Sequence, residues 1–503
     1  MCGMQRVEAS PAGGGALVSS ADVCSDFSKA LKRSPIRTTM ERSTAAGASV
    51  VCLVAGTPDA ATFPMQGVLV QKRGGAALAT RPAAEWLNYG RHQAAGYAAL
   101  VDWGNARLHR LGHAPPHGNV ATMTNGGSTD SIFKALLAFT NAGDAVVCDS
   151  VTYTGLATAA RPLGRNVVGV TPKHAGGPLD ADQLDSALLK LGKKAKMLYL
   201  VPTGGNPTGV TQDVETRRRI YAVARKHNLI ILEDDAYDGL QLGPRGSGGN
   251  ASRMPGLGAA PPSYLSMDVD GRVVRLETAA KLFAPGFRVG WVHASRPLVE
   301  KMREVNEVTT WSQSGLAAAV LHAVVEDMGP AGYEAHVRFV QAEYTRRRDD
   351  LVDALEKHVG PLAAVDFKVP ADGMFLWLRL RPFKGRPLDA GTLLDSFVAA
   401  GVVMLPGAAF RAEKVVGDGD DGALSAYRVS FSVVDSPQKA TLAAERIAAV
   451  LRDAGALAQA ADAFEQRARR QRDRRAFKIL RVAAAAALGI ATLALLARRA
   501  RNR

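Results

Sequence analysis

Residues 196–234 read KMLYLVPTGGNPTGVTQDVETRRRIYAVARKHNLIILED. Two short and almost uninterrupted apolar runs, 196–201 and 229–233, have the length and pattern of strands that are buried on both faces. The residues between them, 211–227, are typical of a helix that Thr211 caps, with Asp213 and Glu215 at its start and basic residues at its end. This stretch therefore predicts a strand, a helix and a second, parallel strand.

The same alternation extends in both directions along the chain. Further strands are predicted at 145–149, 166–171, 273–276 and 289–293. Repeated strand–helix–strand units imply a mostly parallel sheet that binds its ligands at the carboxyl ends of the strands. The glycine- and proline-rich stretch 243–262 is predicted to be an exposed loop. From about residue 332, long helical patterns and short strands at 367–369, 375–379 and 428–432 predict a smaller α+β domain.

The length of 503 residues exceeds that of a single compact domain. We predict a flexible extension at 1–25, an arm with part of the small domain at 26–100, a large domain at 101–331, a small C-terminal domain at 332–460, and a basic tail at 461–503. A composition of 47% hydrophobic and 22% charged residues excludes a wholly disordered chain. Four cysteines without a C-x-x-C pair predict a reducing compartment, without a disulfide framework or a metal site.

The net charge of +15 is concentrated in the tail, where residues 467–503 hold twelve basic residues and one acidic residue. Only +4 remains for residues 1–466, so no nucleic-acid partner is expected. Residues 482–497 carry no charge and are bracketed by Arg481 and Arg498. We predict that they form a transmembrane helix that anchors the protein to an organelle membrane, such as the mitochondrial outer membrane or a peroxisome-like body, with residues 1–466 in the cytosol. The alternative is an alanine-rich helix that lies on the protein body or on a membrane surface.

Polar and glycine residues follow the predicted strands in three segments: VPTGGNPTG at 201–209, LEDDAY at 232–237 and ETAAKLFAPGFRVGW at 277–291. Supporting stretches are YLSMDVDGR at 264–272, ADGMFLW at 371–377 and VMLPG at 403–407. In this order and spacing they resemble the pyridoxal-phosphate aminotransferases of fold type I, and among these the kynurenine/α-aminoadipate and aromatic amino-acid aminotransferases. The resemblance covers about residues 34–438. It implies an α/β fold, with a large domain whose mostly parallel sheet is sandwiched by helices and a smaller α+β C-terminal domain, and pyridoxal 5′-phosphate as the cofactor.

Two residues match those that carry the chemistry in this family. Lys281 matches the catalytic lysine, whose amine forms an imine with the cofactor aldehyde and later moves a proton; the alternative is a surface lysine before a Pro-Gly turn. Asp234 matches the carboxylate that keeps the pyridine nitrogen of the cofactor protonated. Because side chains alternate along a strand, Asp234 should point away from Glu233 and Asp235. The alternative is that this acidic run is a solvated strand end.

Five more residues are implied in binding the cofactor ring and the substrate. Asn206 and Tyr237 resemble the pair that hydrogen-bonds the phenolic oxygen of the cofactor, and Asn206 also binds substrate, unless it only forms an Asn-Pro turn. Tyr153 stands where the family has a ring stacked on the pyridine, unless it is a core tyrosine. Gly56 resembles the glycine that lines the substrate pocket. Arg428 matches the arginine that binds the substrate α-carboxylate, unless it is a surface ion-pair partner.

The phosphate site of the family uses a helix N-terminus, hydroxyl groups and a permanent cation. Its residues are matched here by Ser128, Thr129, Thr278 and Arg288. Tyr89 resembles the tyrosine that reaches the phosphate of the neighbouring subunit, which implies a homodimer. The chain departs from the family at Ala280, where a serine is usual, and at GST 127–129, where Gly-Ser-Gln is common. An acidic, glycine-rich insertion at 417–422 is predicted to reshape the pocket rim.

These matches predict an aminotransferase that moves an amino group from an aromatic amino acid, kynurenine or 2-aminoadipate to a 2-oxo acid such as 2-oxoglutarate, in two half-reactions. A β-lyase or a decarboxylase on the same site is the first alternative. A non-catalytic regulator that binds the cofactor is the second, although the residues before Asp26 are too few for a winged-helix DNA reader. The presence of Lys281, Asp234 and Arg428 argues against a catalytically dead scaffold.

Overall fold

The structure, a computed structural model, describes residues 17–32, 39, 42, 58–88, 94–382, 389–417 and 420–453. Gly56, Tyr89 and the basic tail at 461–503 lie outside the described residues.

The prediction of a transmembrane helix is corrected. Within the described ranges no helix is both long and apolar enough to cross a membrane. The run 482–497 itself lies outside those ranges, and with sixteen residues it is shorter than the roughly 20 apolar residues that a bilayer core requires. The membrane anchor is therefore not retained.

The strands of the described residues are, in chain order, β1 (Leu69–Gln71), β2 (Ala77–Ala79), β3 (Val120–Asn125), β4 (Ala145–Asp149), β5 (Asn166–Val170), β6 (Ala195–Leu200), β7 (Ile230–Asp234), β8 (Val273–Thr278), β9 (Gly290–Ser295), β10 (Val365–Asp366), β11 (Phe375–Leu380), β12 (Leu405–Pro406), β13 (Lys414–Val416) and β14 (Ala426–Ser430). Eight of them form a central sheet with the spatial order β13-β5-β4-β6-β7-β8-β9-β3. Neighbours from β13 to β8 are parallel, whereas β9 runs antiparallel to both of its neighbours, β8 and the edge strand β3. The predicted mostly parallel sheet is confirmed.

The α-helices of the described residues are α1 (Ser20–Val23), α2 (Asp26–Ala30), α3 (Ala83–Trp86), α4 (Ala98–Arg110), α5 (Ser128–Phe139), α6 (Thr154–Ala160), α7 (Ala181–Leu191), α8 (Val214–Lys226), α9 (Arg296–Val308), α10 (Gly315–His358), α11 (Ala390–Ala399) and α12 (Pro437–Arg452). Helices α5 and α9 pack on one face of the central sheet, and α7 and α8 pack on the other. Along β6, Met197 and Tyr199 join the first apolar cluster while Leu198 and Leu200 join the second. The alternation of side chains along buried strands thus divides the core into two layers.

A second sheet lies in the C-terminal part of the chain, with the antiparallel order β10-β11-β14-β12. Its apolar face packs with α11, α12 and the C-terminal half of α10. Helix α10 bends at Gly329, whose φ of 57° is left-handed, and Pro330 follows directly. The short strand β13 leaves this region and extends the central sheet beside β5.

Several details differ from the sequence-based expectations. The helix predicted from residue 211 begins at Val214, because the Asp213 carboxylate caps it by accepting the Thr216 amide at 2.7 Å. Strand β3 was not predicted, and the strand expected at 367–369 lies instead at Val365–Asp366. The loop 243–262 does connect β7 to β8, but it is only partly exposed because Met254 is buried against the long helix α10.

Candidate active site

The carboxyl ends of β6, β7 and β8 meet at one edge of the central sheet, as parallel neighbours must. Asp234 is the last residue of β7, Asn206 follows β6, and Lys281 lies in the turn after β8. Glu233 and Asp235 point away from Asp234 and pair with the fully buried Arg275, at 3.2 and 2.7 Å. The alternation expected for this acidic run is therefore present in the structure, and the run is not a solvated strand end.

Asp234 is a buried carboxylate with one open oxygen. Its Oδ2 accepts the Tyr199 hydroxyl at 2.7 Å, whereas Oδ1 has no hydrogen-bond partner among the described residues. Burial raises the pKa of Asp234 to about 6, although the hydroxyls of Tyr199 and Ser128 and the Lys281 ammonium favour its ionised form. A buried carboxylate that lacks a full set of partners suits a cationic ring N–H.

Lys281 is half-buried and close to the same group of side chains. Its Nζ lies 5.9 Å from the centre of the Tyr237 ring. Burial lowers the pKa of Lys281, as do the charges of Arg428 and Arg288, while Asp234 acts in the opposite direction. A lowered pKa increases the neutral fraction of the amine, which is the form that attacks a carbonyl.

A chain of hydrogen bonds links the substrate-binding candidates. Asn206 donates to the Tyr237 hydroxyl at 3.3 Å, and Arg428 donates to Asn206 Oδ1 at 3.0 Å. The Arg428 guanidinium lies between two aromatic rings, 4.4 Å from the centre of Phe375 and 4.9 Å from that of Phe410. Its Nε is buried and has no acceptor in the described part of the chain. Arg428 is thus held by Asn206 and two aromatic rings rather than in a surface ion pair.

Glycine makes possible the contact between this edge and the second sheet. Gly204, with a φ of 54°, sits so close to Gly373 that a Cβ atom on Gly204 would lie 2.7 Å from the Gly373 Cα. Gly373 belongs to the segment ADGMFLW that carries Phe375. The close approach therefore brings the Asn206 loop next to the strand that supports Arg428.

Helix α5 begins at Ser128, where the candidate phosphate residues converge. Gly127 caps the helix with a φ of 94°, and Arg288 donates to the neighbouring Gly126 carbonyl at 2.8 Å. A Cβ atom on Gly127 would lie 3.2 Å from Arg288 Nη2 and 3.5 Å from Thr278 Oγ1. The first amides of a helix have no intrahelical acceptor, so this concave corner can bind an anion.

The positions of four further candidate residues differ in burial and in hydrogen bonding. Ser128 has a buried hydroxyl without a partner among the described residues, whereas Thr129 is exposed. The Thr278 hydroxyl accepts the Ala280 amide at 3.2 Å, at the position where the family usually has a serine. Tyr153 is half-buried after β4 and packs in the apolar cluster that contains Tyr199.

Sequence reasoning missed residues that support the site. Tyr199 looks like one more apolar side chain of β6, although a hydroxyl inside a fully buried strand indicates a polar partner on a neighbour. The rings of Phe375 and Phe410, which hold Arg428, come from separate elements of the second sheet region. Asp421, within the predicted insertion, is buried, accepts from Arg411 at 2.8 Å and lines a cavity with Asn206.

A buried ionic network lies at the same strand ends, on the side opposite to Asp234. Arg275 contacts four carboxylates, which belong to Glu233, Asp235, Asp238 and Glu277. Arg107 bridges Asp238 and Glu277. Burial lowers the pKa of neighbouring His293, as do the charges of Arg275 and Arg107, whereas Glu277 acts in the opposite direction. Among the described residues no group of His, Cys, Asp and Glu side chains has the geometry of a metal site.

The chain belongs to the aminotransferase class I and II family, whose profile matches residues 105–447. It is 39% identical over 298 residues to aminotransferase swnA of Metarhizium robertsii, an alignment that covers 58% of this chain and 57% of that protein. It is 28% identical over 442 residues to the mitochondrial kynurenine/alpha-aminoadipate aminotransferase of Bos taurus, which covers 85% of this chain and 97% of that protein.

Among solved structures, aminotransferase Aro8 of Candida albicans matches with a TM-score of 0.76 and 24% identity, over 87% of this chain and 98% of that one. The similarity to this structure concerns the fold. The predictions of the aminotransferase family and of its α/β fold are confirmed by these findings.

Proposed function

We propose that the chain uses pyridoxal 5′-phosphate to move an amino group from an amino acid to a 2-oxo acid. The observation that carries this proposal is the open, buried Oδ1 of Asp234, at the same strand edge as an amine of lowered pKa. The residues present fit the cofactor: a carboxylate for its ring nitrogen, the Asn206–Tyr237 pair for its phenolic oxygen, and the corner at Gly127 for its phosphate. When bound, the cofactor supplies an aldehyde that condenses with amines and a ring that accepts electrons.

Three side chains have separate roles in the proposed reaction. Asp234 holds a proton on the ring nitrogen, because ionisation of a buried carboxylate is favoured by a cation beside it. Lys281 Nζ binds the cofactor covalently between turnovers and takes the proton that the amino donor loses from its Cα. Arg428 binds the α-carboxylate of the amino donor and of the 2-oxo acid, and its stacking on Phe375 and Phe410 fixes the plane of the guanidinium fork.

We infer the substrate class from the relatives. Their names include aromatic amino-acid aminotransferases of Schizosaccharomyces pombe and an L-tyrosine:2-oxoglutarate aminotransferase of Tapinella panuoides, together with the bovine kynurenine/aminoadipate enzyme. We therefore propose an aromatic amino acid, kynurenine or 2-aminoadipate as donor and 2-oxoglutarate as acceptor. A homodimer with Tyr89 near the partner's phosphate site, the pocket role of Gly56 and the domain limits 101–331 and 332–460 remain parts of this proposal, as does a cytosolic location.

The test is a panel of amino donors incubated with 2-oxoglutarate and the purified holoenzyme, with glutamate as the measured product. We expect glutamate to form with at least one of the three donor types, and Lys281→Ala to form none. Release of ammonia or carbon dioxide without a 2-oxo acid would instead favour the β-lyase or the decarboxylase. Cofactor binding without any turnover of amino acids would favour the regulator.

A further inference from the structure

A fully buried lysine lies behind the loop that starts helix α5. Lys134 is 1% exposed, and its ammonium donates to the Asp130 carboxylate at 2.7 Å, to Asn306 Oδ1 at 2.6 Å and to Thr310 Oγ1 at 2.8 Å. Asp130 in turn accepts the Gly126 amide at 3.0 Å. A buried ammonium is expensive to desolvate, so three acceptors around one side chain indicate a specific role for its position.

The position matters because Asp130 lies in the first turn of α5. A carboxylate there stabilises the helix by facing its positive end. The same helix end is the one that the phosphate of the cofactor would occupy under the proposed function, on which this inference rests. An uncompensated carboxylate beside that site would repel a phosphate dianion. Lys134, one helical turn later, supplies the compensating charge.

The contacts of Asn306 keep this charge in place. Asn306 lies in the last turn of helix α9 and donates to the carbonyls of Ala94 and Trp311, at 2.7 and 3.0 Å. Its carbonyl oxygen therefore faces the ammonium in a fixed orientation. Lys134 cannot turn towards solvent without leaving buried acceptors unpaired, which is unfavourable.

We propose that Lys134 is a positioning residue for the cofactor phosphate. It neutralises Asp130 and holds that carboxylate on the Gly126 amide, so that the loop and the first turn of α5 can accept a doubly charged group. Lys134 acts through Asp130 and the loop rather than by touching the phosphate.

The test compares two probes that differ only in the phosphate, pyridoxal 5′-phosphate and pyridoxal, in titrations of the cofactor-free protein. Lys134→Met should weaken binding of pyridoxal 5′-phosphate by at least about tenfold, because like charges then face each other, and should leave pyridoxal unchanged. The double variant Lys134→Met/Asp130→Asn should recover most of the lost affinity, since an amide oxygen still accepts the Gly126 amide but carries no charge.

Equal weakening of both probes in Lys134→Met, or a double variant that binds no more tightly than the single one, would show that Lys134 only stabilises the fold. Should Lys134→Met fail to fold, the single variant Asp130→Asn tests the inference instead, because this variant keeps the Lys134 ammonium and removes the carboxylate charge. It should bind pyridoxal 5′-phosphate more tightly than the wild type and pyridoxal equally; unchanged or weaker binding of the phosphate form would overturn the inference. A wild-type protein that binds neither probe at Lys281 would refute the proposed function itself, and the inference with it.

Discussion

Replacing Tyr199 with phenylalanine removes a hydroxyl that donates to Asp234 Oδ2 at 2.7 Å. Tyr199 is fully buried in β6, and its ring would remain packed in the core. Burial already raises the pKa of Asp234 to about 6, and the Tyr199 hydroxyl opposes that effect by stabilising the carboxylate. Without the hydroxyl, the pKa of Asp234 should rise further.

The size of the rise follows from the energy of the hydrogen bond. A hydrogen bond to a charged group contributes roughly 1.5–3 kcal/mol, and one pKa unit corresponds to about 1.4 kcal/mol. The pKa of Asp234 should therefore rise by about one to two units, to about 7–8. At pH 6 the ionised fraction would fall from about one half to between about one tenth and one hundredth, so the affinity for a cationic ring should fall about 5- to 50-fold. Because Asp234 is ionised in both proteins at high pH, the difference should nearly vanish near pH 9.

The assay is a titration of cofactor-free protein with pyridoxal 5′-phosphate at a series of pH values, followed by the absorbance of the bound cofactor. Tyr221→Phe is the matched control, because the Tyr221 hydroxyl also lies within hydrogen-bond distance of carboxylates, 3.0 Å from Asp268 Oδ1 and from Asp270 Oδ1, in the other core layer. The control should show the pH dependence of the wild type. A Tyr199→Phe protein whose affinity follows the wild-type pH curve, or is lower by the same factor at every pH, would refute the reasoning.

Three further predictions test other parts of the site. Borohydride reduction of the holoenzyme should attach the cofactor to Lys281, as peptide mapping would show, and a label on another lysine would contradict that assignment. Arg428→Ala should raise the KM of both the amino donor and the 2-oxo acid by about 10- to 100-fold in steady-state kinetics, because a charge-assisted fork is lost; two unchanged KM values would exclude Arg428 as the carboxylate ligand. Gly204→Ala should lower the melting temperature more than Gly112→Ala does, because both glycines have a positive φ (54° and 73°) but only a Cβ atom on Gly204 would meet another backbone, that of Gly373. Equal losses would mean that backbone strain alone explains the effect.

The central strands could be predicted because apolar runs buried on both faces are distinctive, and the observed strands β4 to β9 overlap the predicted ones. Strand β3 could not be predicted, since Thr122, Thr124 and Asn125 make its sequence look polar. These side chains are buried because they find partners elsewhere in the fold, such as His293 Nδ1, which lies 2.9 Å from the Thr122 hydroxyl. Their burial depends on pairing between distant segments, which a local pattern does not contain.

The same limit applies to the candidate site. Residues at strand ends, such as Asp234 and Lys281, could be placed at one edge from the order of strands and from the family resemblance. The residues that pair with the site and support it could not be predicted in this way. Lys134, four residues after Asp130, looks like half of an exposed helical ion pair, yet it is buried because the end of α9 covers it.

The carboxylates at this sheet edge differ in how their charge is compensated, and that difference identifies the one suited to a ligand. Burial acts to raise the pKa of Glu277, but the guanidinium groups of Arg107 and Arg275 hold it well below its usual range. Asp234 is equally buried, but its pKa is raised because a tyrosine hydroxyl and a half-buried lysine compensate it less completely. A carboxylate that is buried, raised in pKa and open at Oδ1 gains most from a cation that arrives with a ligand. Alternation along β7 therefore places Glu233 and Asp235 beside the Arg275 guanidinium and leaves Asp234 on the side of the cofactor.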